Sequence, residues 1–169
     1  MFVTTAERRK DAAEIETLLD AAFGPGRLAK VSYRYRRGIA AIPYLRLVVR
    51  DGGRIVGSIR YWPVTVGEAD APALLLGPLA IAPDRRGEGI GAALVHRTIE
   101  AAARAGHRLV LLVGDTDYYG RFGFTPATPH GIFMPDERPE RLLLREIAAG
   151  GLAGVAGAVK PLRRRRAAA

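Results

Sequence analysis

Apolar positions in the first third of the chain follow a helical and then a strand-like spacing. Apolar side chains recur every three to four residues between positions 12 and 22, and Gly24 ends that predicted helix. The spacing in residues 27–38 favours a second helix over a strand. Two alternating segments then flank Asp51, Gly52 and Gly53, which is typical of a β-hairpin turn.

The centre of the chain has the form of a strand–helix–strand unit. Residues 73–82 are almost all apolar and residues 107–114 form a similar segment, as is typical of strands buried on both faces. Between them, apolar positions at helical spacing predict a helix over residues 90–102 that Gly106 ends. The pair Gly77-Pro78 interrupts the first strand. Because proline cannot donate a hydrogen bond to a sheet, we expect a β-bulge there.

The C-terminal third predicts shorter elements and then loses its pattern. We expect a turn-helix at 115–124, weak strands near 131–134 and 141–147, and no regular element over 148–159. No internal repeat or long linker divides the chain. The prediction is therefore one α/β domain over residues 1–150, followed by an Ala/Gly-rich and Arg-rich tail over residues 151–169.

Composition narrows the class of protein further. The chain has 169 residues, of which 49% are hydrophobic, so one domain with its own core is expected. No apolar run reaches the roughly 18 residues that span a bilayer, and the first residues do not resemble a signal peptide. There is no cysteine to form a disulfide or a thiolate metal site. A cytoplasmic protein without a membrane segment or metal is the expectation.

The net charge of +9 comes mainly from arginine. A field of this sign could attract nucleic acid or a phosphorylated small molecule. The arginines accompany abundant alanine and glycine, however, and no basic motif is interleaved with aromatic residues. Nucleic acid is therefore not the expected partner. A non-catalytic protein that binds nucleic acid through Arg163–Arg166 is kept as an alternative hypothesis.

Three glycines separate the central strand from the central helix. Gly87, Gly89 and Gly91 stand at alternate positions where a helix begins, and this arrangement favours an anion-binding site. A Walker A loop is excluded because no Lys-Ser/Thr pair follows. Gly87, Gly89 and Ala92 do fit a dinucleotide fingerprint, with Asp115 as the ribose-binding acid, so an NAD(P)-dependent oxidoreductase is a second alternative. The long meander before the motif and the short chain after it count against that alternative.

Counted from Arg86 instead, the segment "RGEGIG" fits the pattern (Arg/Gln)-x-x-G-x-(G/A). About 30 residues later, "YYGRFGF" at 118–124 fits (F/Y)-Y-x-(K/R)-x-G-F. With these two motifs in order, residues 2–147 resemble the GNAT superfamily of acetyl-CoA-dependent N-acetyltransferases. The resemblance implies a single domain with a mixed, mostly antiparallel central sheet of about six to seven strands, flanked by helices, with a bulged fourth strand.

The resemblance also implies a set of site residues. Acetyl-CoA would bind with its pyrophosphate on the loop, aided by the side chains of Arg85 and Arg86. The backbone amides that would hold this pyrophosphate are those of Gly87, Glu88, Gly89, Ile90, Gly91 and Ala92. Leu79, Ala80 and Ile81 would pair with the pantetheine arm as an added strand, and the Leu79 amide would polarise the thioester carbonyl. Tyr119 would protonate the leaving thiolate, with Tyr118 as the alternate acid.

Other parts of the mechanism stay open at this stage. The base that deprotonates the amine is Asp115, Asp117, Glu68 or water. The acceptor is expected to be a small molecule that bears an amine, but the sequence does not identify it. The side chains that could form its pocket are Tyr33, Tyr35, Trp62, Phe133 and Met134. The oligomeric state is open, with a homodimer as one candidate because many GNAT proteins are dimers.

Overall fold

A computed structural model describes residues 1–163 of the chain. The strands are β1 Phe2–Ala6, β2 Leu47–Asp51, β3 Arg54–Val66, β4 Ala71–Ile81, β5 Leu109–Val113, β6 Thr125–Pro126, β7 Ile132–Phe133, β8 Leu142–Glu146 and β9 Gly157–Pro161. The helices are α1 Ala12–Phe23, α2 Ile90–Arg104 and the single turn α3 Thr116–Tyr119. Within these residues, no helix is both long and apolar enough to cross a lipid bilayer.

The strands form a mixed sheet in the order β1-β2-β3-β4-β5-β8-β6. All neighbours on this path are antiparallel except β4 and β5, which are parallel because α2 carries the chain from one to the other. The short strand β7 and strand β9 attach beside β3. The α/β fold class is confirmed, including the mostly antiparallel sheet, the flanking helices and the single domain.

The first helix and the hairpin form where the apolar pattern places them. Helix α1 ends at Gly24, whose φ of 80° is readily adopted by glycine. Gly52 and Gly53 make the turn between β2 and β3, both with positive φ. The helix expected over residues 27–38 is instead a pair of 3₁₀ turns, at Pro25–Ala29 and Val31–Tyr35. Lys30 separates the two turns because its backbone is extended, with ψ of 143°.

Strand β4 is bulged and then leaves its parallel neighbour. Ile59 of β3 pairs with Leu79 and Tyr61 pairs with Leu76, so Gly77 and Pro78 together face a single residue. On its other edge, β4 pairs with β5 at Leu74 and Leu75 in the described part of the chain. Beyond Leu75 the two strands diverge, which leaves an open edge on β4. The predicted bulge in the fourth strand is confirmed.

The sheet has a buried core on each face. Leu74 and Leu76 pack with the apolar sides of α1 and α2, whereas Leu75 packs into a second cluster with Val159 of β9. This alternation follows from the two-residue period of a strand and explains why β4 is apolar on both faces.

The predicted tail is wrong for residues 151–161. Strand β9 pairs with β3 from Val66 to Val64, and Val159 is only 1% exposed. The packed domain therefore continues through Pro161, because the second core cluster needs β9 to cover it. Residues 164–169, which include most of the Arg-rich segment, lie outside the described residues.

Candidate functional site

Two cavities meet where β4 and β5 diverge. The first, which we call the bulge cavity, has a volume of about 380 Å³ and lies against Gly77 and Pro78. The second, the loop cavity, has a volume of about 400 Å³ and is bordered by the glycine loop before α2. Phe23, Leu79 and Tyr119 line both cavities. A molecule in the loop cavity can therefore meet a molecule in the bulge cavity at Leu79 and Tyr119.

The glycine loop presents backbone N–H groups to the loop cavity. Gly87 and Gly89 have φ of 84° and 79°, which allows the chain to turn sharply into α2. The first helical hydrogen bond is donated by the Ala93 N–H to the Gly89 carbonyl, at 3.0 Å. The three preceding N–H groups, of Ile90, Gly91 and Ala92, come before the helical ladder. This end of a 15-residue helix can hold an anion.

Two different structural reasons explain why glycine occupies the three loop positions. A Cβ on Gly87 or Gly89 would meet no atom within 4 Å, so backbone conformation alone favours glycine at these positions. A Cβ on Gly91 would collide with the hydroxyl of Tyr118 and also approach Ile81. Gly91 is therefore needed for the close packing of α2 against Tyr118.

Three arginines surround the loop, and they differ in their partners. Arg85 is neutralised by Asp51, with 2.6 Å between Nη2 and Oδ2. Arg86 is exposed and lines the loop cavity, as does Arg121, whose guanidinium carbon lies 5.0 Å from the centre of the Tyr118 ring. Arg121 was not expected at the site, although it occupies the (K/R) position of the second motif. All three arginines line the loop cavity, and Arg86 and Arg121 have no carboxylate partner among the described residues.

The open edge of β4 alternates in hydrogen-bonding direction. The N–H of Ala82 donates to the Val56 carbonyl of β3 at 2.8 Å. Because alternate residues of an antiparallel strand point the same way, the backbone groups of Ala80 also face β3, and those of Leu79 and Ile81 face the open edge. The side chain of Ala80 is buried in the core, whereas Leu79 and Ile81 line the loop cavity.

Tyr119 stands at the junction of the two cavities. Its ring lies close over Gly114, where a Cβ would be 2.6 Å from the ring atom Cε2. Burial raises the pKa of the Tyr119 phenol, so it is protonated at neutral pH. Tyr118 lines only the loop cavity, and burial raises its pKa as well.

The carboxylates expected as bases are not among the described residues that line the two cavities. Asp115 is exposed and pairs with Arg141 at 2.9 Å, and Asp117 is exposed on α3. Glu68 lies in the turn between β3 and β4, about 20 Å along the strand from the bulge, so it is not a base for this site. Among the described lining residues, Glu137 is the one carboxylate of the bulge cavity. It was missed because it is distant in sequence from both motifs.

The aromatic residues considered for the acceptor pocket have separate roles. Tyr33 lines the bulge cavity, and the indole N–H of Trp62 donates to the Gly77 carbonyl at 2.7 Å. Tyr35 and Met134 are buried in the second core cluster, and Phe133 is half exposed outside the cavity. In residues 1–163, no group of three or more His, Cys, Asp or Glu side chains could hold a metal ion.

The site of this α/β protein can hold an anionic ligand at the start of α2 beside a second molecule in the bulge cavity. A family model, described as an acetyltransferase (GNAT) domain, matches residues 44–126. Two relatives from Escherichia coli (strain K12) are each 30% identical. The uncharacterized N-acetyltransferase YjhQ aligns over 83% of this chain and 82% of its own length, and the uncharacterized N-acetyltransferase YhbS over 89% and 90%.

Solved structures agree with these relatives. A GNAT-family N-acetyltransferase (YhbS) from E. coli in complex with CoA is 28% identical, with a TM-score of 0.83 over 95% of this chain and 89% of that one. A GNAT-family acetyltransferase from Brucella melitensis in complex with acetyl-CoA is 27% identical, with a TM-score of 0.73 over 95% of both chains. The chain belongs to the GNAT family of N-acetyltransferases. The dinucleotide-binding oxidoreductase is excluded, because β4 and β5 are a single parallel pair within an otherwise antiparallel path.

Proposed function

We propose that the protein transfers the acetyl group of acetyl-CoA to an amine, which attacks the thioester directly. The observation that carries this proposal is the junction of two cavities at Leu79 and Tyr119. A donor in the loop cavity and an acceptor in the bulge cavity can react there without a covalent enzyme intermediate. The complexes of two solved relatives with CoA and acetyl-CoA support the choice of donor.

The loop cavity would hold the coenzyme through its pyrophosphate. The backbone N–H groups of the loop, from Gly87 through Glu88, Gly89, Ile90 and Gly91 to Ala92, would donate to the phosphate oxygens. The dipole of α2 and the Arg86 side chain would add attraction. We add Arg121 to this set because it lines the same cavity.

The pantetheine arm would extend along the open edge of β4. Of the three residues predicted to pair with it, Leu79 and Ile81 would do so, whereas the backbone groups of Ala80 face β3. The Leu79 N–H faces the junction of the cavities and would donate to the thioester oxygen. This bond becomes stronger as negative charge develops on that oxygen during attack.

The reaction moves one proton from nitrogen to sulfur. The amine nitrogen forms a bond to the carbonyl carbon, the carbon–sulfur bond breaks, and the electron pair leaves on the thiolate. Tyr119 would donate a proton to that thiolate and regain one from solvent. Water in the bulge cavity would take the proton from the amine, with Glu137 as the carboxylate of the cavity wall.

A glycine substitution tests the placement of acetyl-CoA. Gly89→Glu would put a carboxylate beside the pyrophosphate, and Gly106→Glu is a matched control at the other end of α2. Both glycines have a positive φ, and a Cβ on either meets no atom within 4 Å. We expect acetyl-CoA to raise the melting temperature of the wild type and of Gly106→Glu but not of Gly89→Glu, with no effect of NADH. Equal acetyl-CoA binding by both variants would contradict the placement.

The acceptor, the cellular location and the oligomeric state are further parts of this proposal. We predict a small amine-bearing acceptor and a cytoplasmic location. Size-exclusion chromatography with light scattering would show whether the protein is a homodimer.

A further inference from the structure

The bulge cavity is bordered by a guanidinium group that has no carboxylate partner among the described residues. Arg36 follows the turn Val31–Tyr35 and lines the cavity beside Gly77. Its Nε and Nη1 atoms are buried and have no hydrogen-bond partner in the described chain. Two nearby arginines differ, because Arg27 pairs with two carboxylates of α1 and Arg60 pairs with Glu7. An arginine that lines a cavity without a carboxylate partner can be neutralised by a bound anion.

The position of this guanidinium is fixed by aromatic rings. Its central carbon lies 4.4 Å from the centre of the Tyr33 ring and 5.9 Å from that of Trp62. The same Trp62 holds the Gly77 carbonyl through its indole N–H. A Cβ on Gly77 would lie 3.1 Å from Nη2 of Arg36. Arg36 is therefore held directly against the bulge, close to the place where the thioester would lie.

The cavity around Arg36 is positively charged. Lys30, Arg138 and Arg141 also line it, against the single carboxylate of Glu137. The Lys30 ammonium lies 4.6 Å from the centre of the Phe23 ring, whereas Arg141 is paired with Asp115 and Arg138 with Glu140. Burial lowers the pKa of Arg36 to about 10, so its guanidinium is still charged at neutral pH. An anionic group is attracted into this cavity, and a purely cationic amine is repelled.

We infer that the acceptor is a small amino acid-like molecule, whose carboxylate binds Arg36 while its amine attacks the thioester. This inference rests on the proposed function. Charge-assisted hydrogen bonds between a guanidinium group and a carboxylate are strong and directional in a desolvated cavity wall. The cavity, with about 380 Å³, has room for a molecule of this size.

A panel of matched amines tests this inference on the wild-type protein. Each protein amino acid is compared with its carboxamide, with the amine that lacks the carboxyl group, and with its phosphonic acid analogue, using acetyl-CoA and detection of the free thiol. We expect the acids that react to exceed their carboxamides in kcat/KM by about ten- to a hundredfold. Equal use of acids and carboxamides would overturn the inference, and a preference for the phosphonic acids would overturn the choice of carboxylate.

Substitution of Arg36 tests whether this residue causes the preference for amino acids over their carboxamides. Arg36→Gln is expected to remove it, by lowering kcat/KM for the acids and not for the neutral amines. Arg36→Lys keeps the charge but replaces the planar guanidinium with an ammonium group, so it should keep part of the preference. Arg37→Gln is the matched control, because the neighbouring Arg37 is exposed and does not line the cavity. An unchanged preference in Arg36→Gln would contradict the role of this residue.

A binding measurement separates this inference from the proposed function. Calorimetry on the CoA-loaded protein compares the reactive amino acid, or the full panel if none reacts, with the matched carboxamides. Selective binding of an acid without acetylation would support the anion site and contradict the proposed reaction. Acetylation of amines without any preference for acids would support the reaction and overturn the anion site.

Discussion

Tyr119 is the residue that both cavities share and that can move a proton. The neighbouring Tyr118 has the same chemistry, but it lines only the loop cavity and packs its hydroxyl against Gly91. The motif alone does not say which of the two tyrosines is the acid. Their positions favour Tyr119. The raised pKa of Tyr119 keeps its proton available throughout the neutral range.

We expect Tyr119→Phe to lower kcat by about a hundredfold, because general acids of this kind contribute at least that much. The dissociation constant of acetyl-CoA should change little, since the phenol acts after binding. Tyr118→Phe is the control and should keep kcat within about threefold. Steady-state kinetics and calorimetry measure the two quantities. A normal kcat in Tyr119→Phe would show that the thiolate takes its proton elsewhere.

Some residues of the site could be predicted from the sequence and others could not. The loop glycines and Tyr119 each lie in a short contiguous motif, so the sequence alone marks them. Arg36 and Glu137 come from separate segments that meet only in the folded chain, and no local pattern marks them. Glu68 was a wrong candidate because the first six residues of β4, 71–76, separate that turn from the bulge.

At the scale of elements, α2 and α3 meet through Gly91 and Tyr118. A side chain on Gly91 would displace the Tyr118 hydroxyl, whereas the ring carbon that bears this hydroxyl would remain at 3.7 Å. The loop glycines were expected to allow close approach of a phosphate. In the structure, one of the three instead allows two helices to pack closely.

We expect Gly91→Ala to destabilise the protein by about 1–3 kcal/mol, because the added methyl group overpacks this contact. Tyr118→Phe in the same chain removes the colliding hydroxyl and should restore most of the loss. Urea unfolding of the two single variants and the double variant gives the coupling energy. Additive effects of the two substitutions would show that the helices do not meet in this way.

Elements with a long, regular pattern could be predicted, and those that depend on distant partners could not. The hairpin, α1, α2 and the two central strands follow from their apolar spacing. Strand β9 has five residues and no clear alternation, and it forms because β3 and β7 provide its hydrogen-bond partners. The 3₁₀ turns replace a predicted helix because Lys30 is extended.

At the scale of the whole molecule, buried phenols make the free energy of unfolding decrease at alkaline pH. Burial raises the pKa of Tyr61, whose hydroxyl bonds Thr98 at 2.8 Å, and it raises the pKa of Tyr119 nearby. Arg145 also acts on Tyr61 and lowers its pKa, but less than burial raises it. In the unfolded chain a tyrosine titrates near pH 10. The stability that these phenols contribute is therefore complete below about pH 10 and is lost above it.

We expect the free energy of unfolding to fall above about pH 10 by about 1.4 kcal/mol per pH unit for each buried tyrosine. Tyr61→Phe should weaken this slope, while it costs about 1 kcal/mol at neutral pH through the lost hydrogen bond to Thr98. Urea unfolding between pH 7 and 11 measures both effects. An identical slope in the variant would contradict the burial of this phenol.

The proposal that this GNAT-family chain acetylates an amine is tested most directly by following the acetyl group itself. The protein is incubated with acetyl-CoA that is isotopically labelled in the acetyl carbonyl, together with the panel of amines, and the products are identified by mass spectrometry. We expect a labelled amide and an equal amount of free CoA, with about a hundredfold less of both from Tyr119→Phe. Release of CoA without any labelled amide, or no consumption of acetyl-CoA by the wild type with any amine, would contradict the proposed function.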